Sequence, residues 1–252
     1  MKKIIITGGP TNEPIDEVMK ITNMSTGKLS VTLGECFLRA GYSVCLILNN
    51  CVNAEKLQCV EDSRGDLTTI WIETTEDMLQ ALKSQSGEEN RADVVIHASA
   101  VGDYLADFSF LLEDVAEELY AKLSDLKSAT DILAVLENPA CKLDDSSKIS
   151  SYQKNLTVKL GLTPKIIARL REWYPDSLLI GCKLLESVPK EELFDVAAHL
   201  CERNGMDYIL ANDLADLRAG KPERYLVAKD GFTGRVLDVP EDIFKFVDGE
   251  LS

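Results

Sequence analysis

The chain has 252 residues, 45% of them hydrophobic, and a formal net charge of −15 from 27 Lys and Arg against 42 Asp and Glu. That length and apolar content supply a full core without covalent staples, and the acidic balance argues against nucleic acid, whose phosphates need a basic face. An anionic ligand has to be captured by local amides and a few cations, against the field of the whole molecule.

Residues 3–7, KIIIT, are a β-branched run bounded by Gly8 and Gly9, the pattern of a buried parallel strand. From Gly27 or Lys28 to Ala40 the apolar Leu29, Leu33, Cys36 and Phe37 recur at helical spacing, and Gly41 supplies a stop. YSVCLIL, residues 42–48, reads as a second buried strand. About twenty residues link the first strand to its helix, where an ordinary connection has about 2–6. The spacing then predicts a strand over 68–74, a helix from Glu76, and a strand from Ala92 that runs into the small-residue loop HASAVGDY.

Residues 105–147 read differently. FLLEDVAEELYAKLSDLK and SATDILAVLENPA are helical and acidic, and stand where a short crossover would suffice. An inserted cover or dimer element and an ordinary pair of surface helices fit equally. A polar loop (SSKISSYQKN) and a strand follow, then a helix with Thr163 as N-cap and Pro164 at its first position. SLLIGCKLLE is a strand, and a helix ending at Gly205 precedes the strand MDYILANDL. A hairpin around Asp230-Gly231 and a closing helix complete the chain. Strand and helix alternate, so the expectation is α/β: a doubly wound, mostly parallel, Rossmann-like sheet in one domain, residues 1–252, with a helical insertion.

Seven cysteines (Cys36, Cys45, Cys51, Cys59, Cys141, Cys182 and Cys201) form no CxxC pair, and His97 and His199 are the only histidines. They read as buried thiols of a reducing compartment, not as a disulfide framework or a zinc site. Nothing resembles a signal peptide or a membrane span, which points to the cytoplasm.

Ligands of such sheets bind beyond the carboxyl ends of the strands. TGGPTNEP offers exposed backbone N–H groups there, and NMSTGKL offers Asn23, the Ser25 and Thr26 hydroxyls, Gly27 and a helix N-terminus suited to phosphate. Asp103, Lys148, Asn212 and Asp213 end other loops or strands. Singly each has a bland reading: Asp103 as a helix cap, Lys148 as a solvated lysine, His97 as a satisfied core histidine. Together they describe a site for a nucleoside triphosphate and a second anion.

ITGGPTNEPIDEVMKITNMSTGKL, HASAVGDY, KISS, TPKII, GCKLLE and DYILAND stand in the order seen in phosphopantothenate–cysteine ligases. From near Met1 to about residue 230 the chain resembles their stand-alone bacterial form, in which the fused flavoprotein decarboxylase of other bacteria is absent. The resemblance implies ligation of 4′-phosphopantothenate with L-cysteine. The carboxylate attacks the α-phosphate of CTP (or ATP) accompanied by Mg2+, pyrophosphate leaves, and the cysteine amine displaces the nucleotide from the acyl-nucleotidylate. It implies a homodimer with no nucleic-acid or membrane partner. By the same resemblance Asn23 and Lys148 are catalytic. Gly9, Ser25, Thr26, Gly27 and Asn212 bind nucleotide, and Asn23, Ala100 and Asp103 bind substrate. No residue is assigned to metal.

The chain departs from the family pattern at Met19, where an arginine is usual and reaches the substrate of the neighbouring subunit. It departs also at Met24 (histidine or an aromatic), Ser30 (glycine), Cys182 (an aromatic beside the base), and Ser150 and Ser151 (lysines in the fused enzymes). Two other readings stay open. One is a nucleotide- or pantothenate-binding paralogue without catalysis. The other is an NAD(P) oxidoreductase, against which stand the missing glycine fingerprint and the LILNN that ends strand two without an acid.

Overall fold

The computed structural model describes residues 1–58 and 65–252. Cys59 lies outside the described residues. In chain order the elements are β1 (Lys3–Gly8), β2 (Asn12–Pro14), β3 (Lys20–Thr22), α1 (Lys28–Arg39), β4 (Ser43–Asn49), α2 (Glu55–Gln58), β5 (Leu67–Ile72), α3 (Thr75–Ser84), β6 (Val94–His97) and β7 (Tyr104–Leu111). They continue with α4 (Leu112–Ala121), α5 (Ala129–Glu137), β8 (Leu156–Leu162), α6 (Leu170–Trp173), β9 (Leu178–Leu185), α7 (Lys190–Arg203), β10 (Tyr208–Asp213), α8 (Leu214–Arg218), β11 (Tyr225–Ala228), β12 (Gly231–Val236) and α9 (Pro240–Leu251). The chain divides into two compact units. The first comprises Met1–Thr11, Asn23–Val101 and Lys165–Ser252, and the second Asn12–Thr22 and Gly102–Pro164.

The first unit is built on an eight-stranded sheet of order β12-β11-β10-β9-β6-β1-β4-β5. The six strands from β10 to β5 are parallel; β11 and β12 continue the sheet antiparallel, as the hairpin signal at Asp230-Gly231 predicts. The parallel order reverses between β1 and β6, the switch point of a doubly wound sheet. Successive side chains of a strand face opposite ways, which explains the unbroken apolar runs. Ile4 and Ile6 join a core with Leu33 and Phe37 of α1 and Ile243 and Val247 of α9. Ile5 joins a second core with Met78 and Leu82 of α3, Leu170 of α6 and Leu193 and Ala197 of α7. Both sheet faces are thereby covered.

The second unit consists of the β2–β3 pair, the antiparallel β7–β8 pair, α4 and α5. Its small core holds Phe108, Phe110 and Val115, and Lys142 Nζ lies 4.4 Å from the Phe108 ring centre. Three sequence expectations are corrected here. The stretch read as helical from about residue 105 opens with β7, whose Phe108 and Phe110 share one face at strand period and fill that core. The long β1–α1 connection is not a plain loop, because Asn12, Glu13 and Pro14 pair with Thr22, Ile21 and Lys20. Thr163 caps no helix. Its hydroxyl donates to the Gly102 carbonyl and its N–H to Asp103 O, so helical backbone begins only at Ile166, in a 3-10 turn leading into α6. Of the six described cysteines, all free thiols, only Cys45 and Cys201 are buried and Cys51 is exposed. Among the described residues no helix is long and apolar enough to cross a membrane.

Candidate functional site

The parallel strands of the first unit bring Gly9, Ala100 and Asn212 to one edge of the sheet. Gly9, one residue past β1, has φ +84°, a conformation glycine adopts without a Cβ penalty. Its carbonyl accepts the Ala100 N–H at 2.9 Å, and Pro10 bridges to Ala100 as a parallel strand would. The ends of β1 and β6 are thus tied together beyond the sheet. Gly27 stands at the N-cap of α1 with φ 67°, and no side chain caps that helix. A Cβ on Gly27 would fall 2.7 Å from Val52 Cγ2 and 3.2 Å from the Gly9 nitrogen, and one on Gly9 would fall 2.6 Å from Val52 Cγ2. Two bare backbones therefore face each other over the Val52 methyls.

The residues before Gly27 lead into this close approach. Asn23 Nδ2 donates to Val101 O at 3.0 Å and to Ala100 O at 3.3 Å. Ser25 Oγ and Thr26 Oγ1 accept from the N–H groups of Gly27 and Lys28 at 3.5 and 3.4 Å, long contacts that a stronger acceptor can displace. The Ser99 hydroxyl, buried at the end of β6, has no hydrogen-bond partner among the described residues. Backbone left bare by glycine at the uncapped start of a 12-residue helix fits an anionic oxygen cluster.

His97 closes the sheet below. It is buried, its Nδ1 lies 2.9 Å from Thr7 Oγ1, and that oxygen also accepts the Ser99 N–H at 3.2 Å. Burial lowers its pKa to about 4, so it is a neutral structural histidine. Ser30 is 1% exposed and donates to Thr7 O at 2.8 Å. Its Cβ stands 2.4 Å from where a Gly8 Cβ would be, so its side chain fits because Gly8 yields the space.

Asn212 is half-buried near the end of β10, beside Leu184 of β9. Asp213 follows it and is buried. Burial raises its pKa, but the backbone N–H groups of Val188, Ser187, Ala215 and Asp216 prevail and hold it below the usual carboxylate range. Cys182 packs against the core shared with α1 and α9. Burial pushes its thiol up to about 11, against the pull of the Arg224 guanidinium, which makes it an inert apolar wall.

Asp103 and Lys148 belong to the second unit and are exposed. Asp103 O accepts the Thr163 N–H at 3.1 Å. Lys148 lies in the irregular segment before β8, next to the buried Ile149. Met19 is in the turn between β2 and β3, and Met24, on the first unit, is fully exposed. The sequence reading passed over two residues. Val52, the floor under both glycines, carries no local signal. Asp16, in the β2–β3 turn, carries a weak one, since aspartate accepts from N–H groups two and three residues ahead in such turns. Among the described residues no group of three or more His, Cys, Asp or Glu is arranged to hold a metal ion.

Residues 1–142 match the family described as the DNA/pantothenate metabolism flavoprotein C-terminal domain. The Coenzyme A biosynthesis bifunctional protein CoaBC of Thermococcus kodakarensis is 31% identical over 91% of this chain and 45% of its own length. The protein of the same name from Bacillus subtilis is 33% identical over 87% of this chain and 42% of its length. The chain therefore spans less than half of the curated relatives it matches. The crystal structure of the DNA/pantothenate metabolism flavoprotein from Streptococcus pneumoniae superimposes with a TM-score of 0.77 at 30% identity, covering 100% of this chain and 98% of that one.

Proposed function

This chain belongs to the family of the DNA/pantothenate metabolism flavoprotein C-terminal domain, and we propose that it ligates 4′-phosphopantothenate to L-cysteine, driven by a nucleoside triphosphate. The observation that carries the reading is the close approach of the Gly9 and Gly27 backbones beyond β1, packed over Val52 so tightly that neither position has room for a side chain. A triphosphate needs such bare backbone, because its oxygens must come within hydrogen-bond distance of main-chain N–H groups. Asn212 is three strands from β1 in the sheet order, roughly 14 Å at the usual strand spacing. That span suits a nucleotide with its phosphates at Gly27 and its sugar or base at Asn212, beside the Cys182 wall.

A carboxylate is a poor acyl donor until its oxygen becomes a leaving group. Attack on the α-phosphate releases pyrophosphate and makes the carboxyl carbon a mixed anhydride. The cysteine amine then attacks that carbon, the nucleoside monophosphate leaves, and an amide remains. No strong base is required, so the protein supplies position and charge stabilisation. Asn23, fixed by its bonds to Ala100 and Val101, would orient the reacting acyl phosphate. Ser25, Thr26 and Ser99 would hydrogen-bond phosphate oxygens. Asp103 would hold phosphopantothenate, and Lys148 would stabilise the charge of the triphosphate and the intermediate; both assignments rest on the family resemblance. Magnesium would enter on the nucleotide, ligated by phosphate oxygens and water, and would neutralise charge there. We further propose CTP over ATP, a homodimer and a cytoplasmic location, on the same resemblance. The test is pyrophosphate release with phosphopantothenate, cysteine and each of CTP and ATP in turn.

A further inference from the structure

Asp16 gathers three backbone donors from two distant pieces of the second unit. Its Oδ1 accepts Val18 N at 2.7 Å and Met19 N at 2.6 Å, which closes the turn between β2 and β3. Its Oδ2 accepts Ile149 N at 2.8 Å, 133 residues along the chain. The Asp16 side chain is buried, the residue being 6% exposed. Among the described residues, this is the one hydrogen bond that ties the irregular stretch 144–154 to anything outside it; the others there join near neighbours, as from Ser146 to Asp144 or Gln153 to Ser150. Ile149, buried at the same point, precedes Ser150 and follows the exposed Lys148.

The ionised carboxylate is suited to this task because it accepts only, and it offers lone pairs to all three N–H groups. The Met19, Ile149 and Val18 N–H groups lower its pKa, against the effect of burial, and the Lys148 charge adds a smaller pull in the same direction. An amide of the same shape would turn N–H against N–H on one side and lose the Ile149 bond.

We propose that Asp16 is a positioning residue that anchors the Lys148 loop, through the Ile149 amide, to the turn carrying Met19. The proposal rests on the ligase reading for the role of Lys148, while the anchor itself is a statement about the second unit alone. A lysine on an unanchored polar loop spends its charge over many positions; one held at its neighbour's amide meets developing phosphate charge with less to reorganise.

The test combines Asp16→Asn, Lys148→Gln and the double variant with amide hydrogen exchange, all on the full chain. If Asp16 acts through Lys148, Asp16→Asn lowers kcat for pyrophosphate release about tenfold alone but less than about twofold on top of Lys148→Gln. Independent structural damage would instead multiply the two losses, to about a hundredfold, and would overturn the proposal. In parallel, Asp16→Asn should speed exchange at the Ile149 amide at least about tenfold, leaving the β7–β8 amides unchanged. Unchanged exchange at Ile149 overturns the anchor whatever the turnover. Absence of pyrophosphate release from the unsubstituted protein overturns the ligase reading and the catalytic half of this proposal, and the Ile149 amide still decides the anchor.

Discussion

Gly27 and Gly9 approach so closely that a methyl group on Gly27 would sit 3.2 Å from the Gly9 nitrogen, and both lie over Val52. Gly27 also has φ 67°, where an alanine is strained. Gly27→Ala should therefore cost about 1–3 kcal/mol of stability and weaken nucleotide binding roughly tenfold or more. Adding Val52→Ala should recover part of the affinity, since it removes the closest contact but leaves the backbone strain. Thermal denaturation and calorimetric titration with CTP measure the two effects. Normal nucleotide affinity in Gly27→Ala would remove the phosphates from the Gly9–Gly27 backbone.

Lys148→Gln should lower kcat at least about tenfold, equivalent to about 1.4 kcal/mol of transition-state stabilisation. Folding should not change, because Lys148 is exposed and its loop is polar. Near-normal turnover would return Lys148 to the class of solvated lysines.

The family resemblance puts an arginine where this chain has Met19. Its backbone is held by Asp16, while its side chain is partly exposed to solvent. A charge-assisted hydrogen bond contributes about 1.5–3 kcal/mol, so Met19→Arg should lower the KM for phosphopantothenate roughly tenfold to a hundredfold with little change in kcat. Lys20→Ala tests whether the adjacent lysine already does this. If Lys20→Ala raises KM sharply and Met19→Arg does nothing, Lys20 fills the role; if neither moves KM, the substrate phosphate lies elsewhere.

Burial keeps His97 neutral, with a pKa of about 4 against an ordinary value of 6.5. Below 6.5 the unfolded chain takes up this proton and the folded chain does not, so stability falls as pH drops from 6.5 toward 4. The contribution reaches about 3 kcal/mol at the acid end. His97→Asn, which can still meet Thr7 Oγ1, should flatten that part of the profile. Urea unfolding of both proteins between pH 7 and pH 4.5 measures the difference; parallel profiles would mean that another group dominates.

The parallel strands were legible because each is buried on both faces, so Ile4, Ile5 and Ile6 are all apolar. The bare backbone at Gly9 and Gly27 was legible from the residue types, and helix α1 from its periodicity. The second unit was not. Its β2 and β3 are three residues each, with Pro14 in one of them, too short to show alternation. In β7 the apolar residues run on into α4, so strand and helix merge into one pattern. Thr163 and Pro164 copy a helix start, yet a tertiary bond to Gly102 takes the hydroxyl. Val52 matters only through Gly9 and Gly27, and Asp16 ties its own turn to Ile149 far along the chain; a single sequence holds no trace of such distant pairings.

The most direct test of the ligase reading omits cysteine. With phosphopantothenate and CTP alone, the account predicts one turnover of pyrophosphate and, after acid quenching, an acyl adduct carrying the labelled α-phosphate, which cysteine then converts to the amide. Nucleotide bound tightly with no pyrophosphate and no adduct, under these conditions and with cysteine added, would contradict it and leave a binding protein without catalysis.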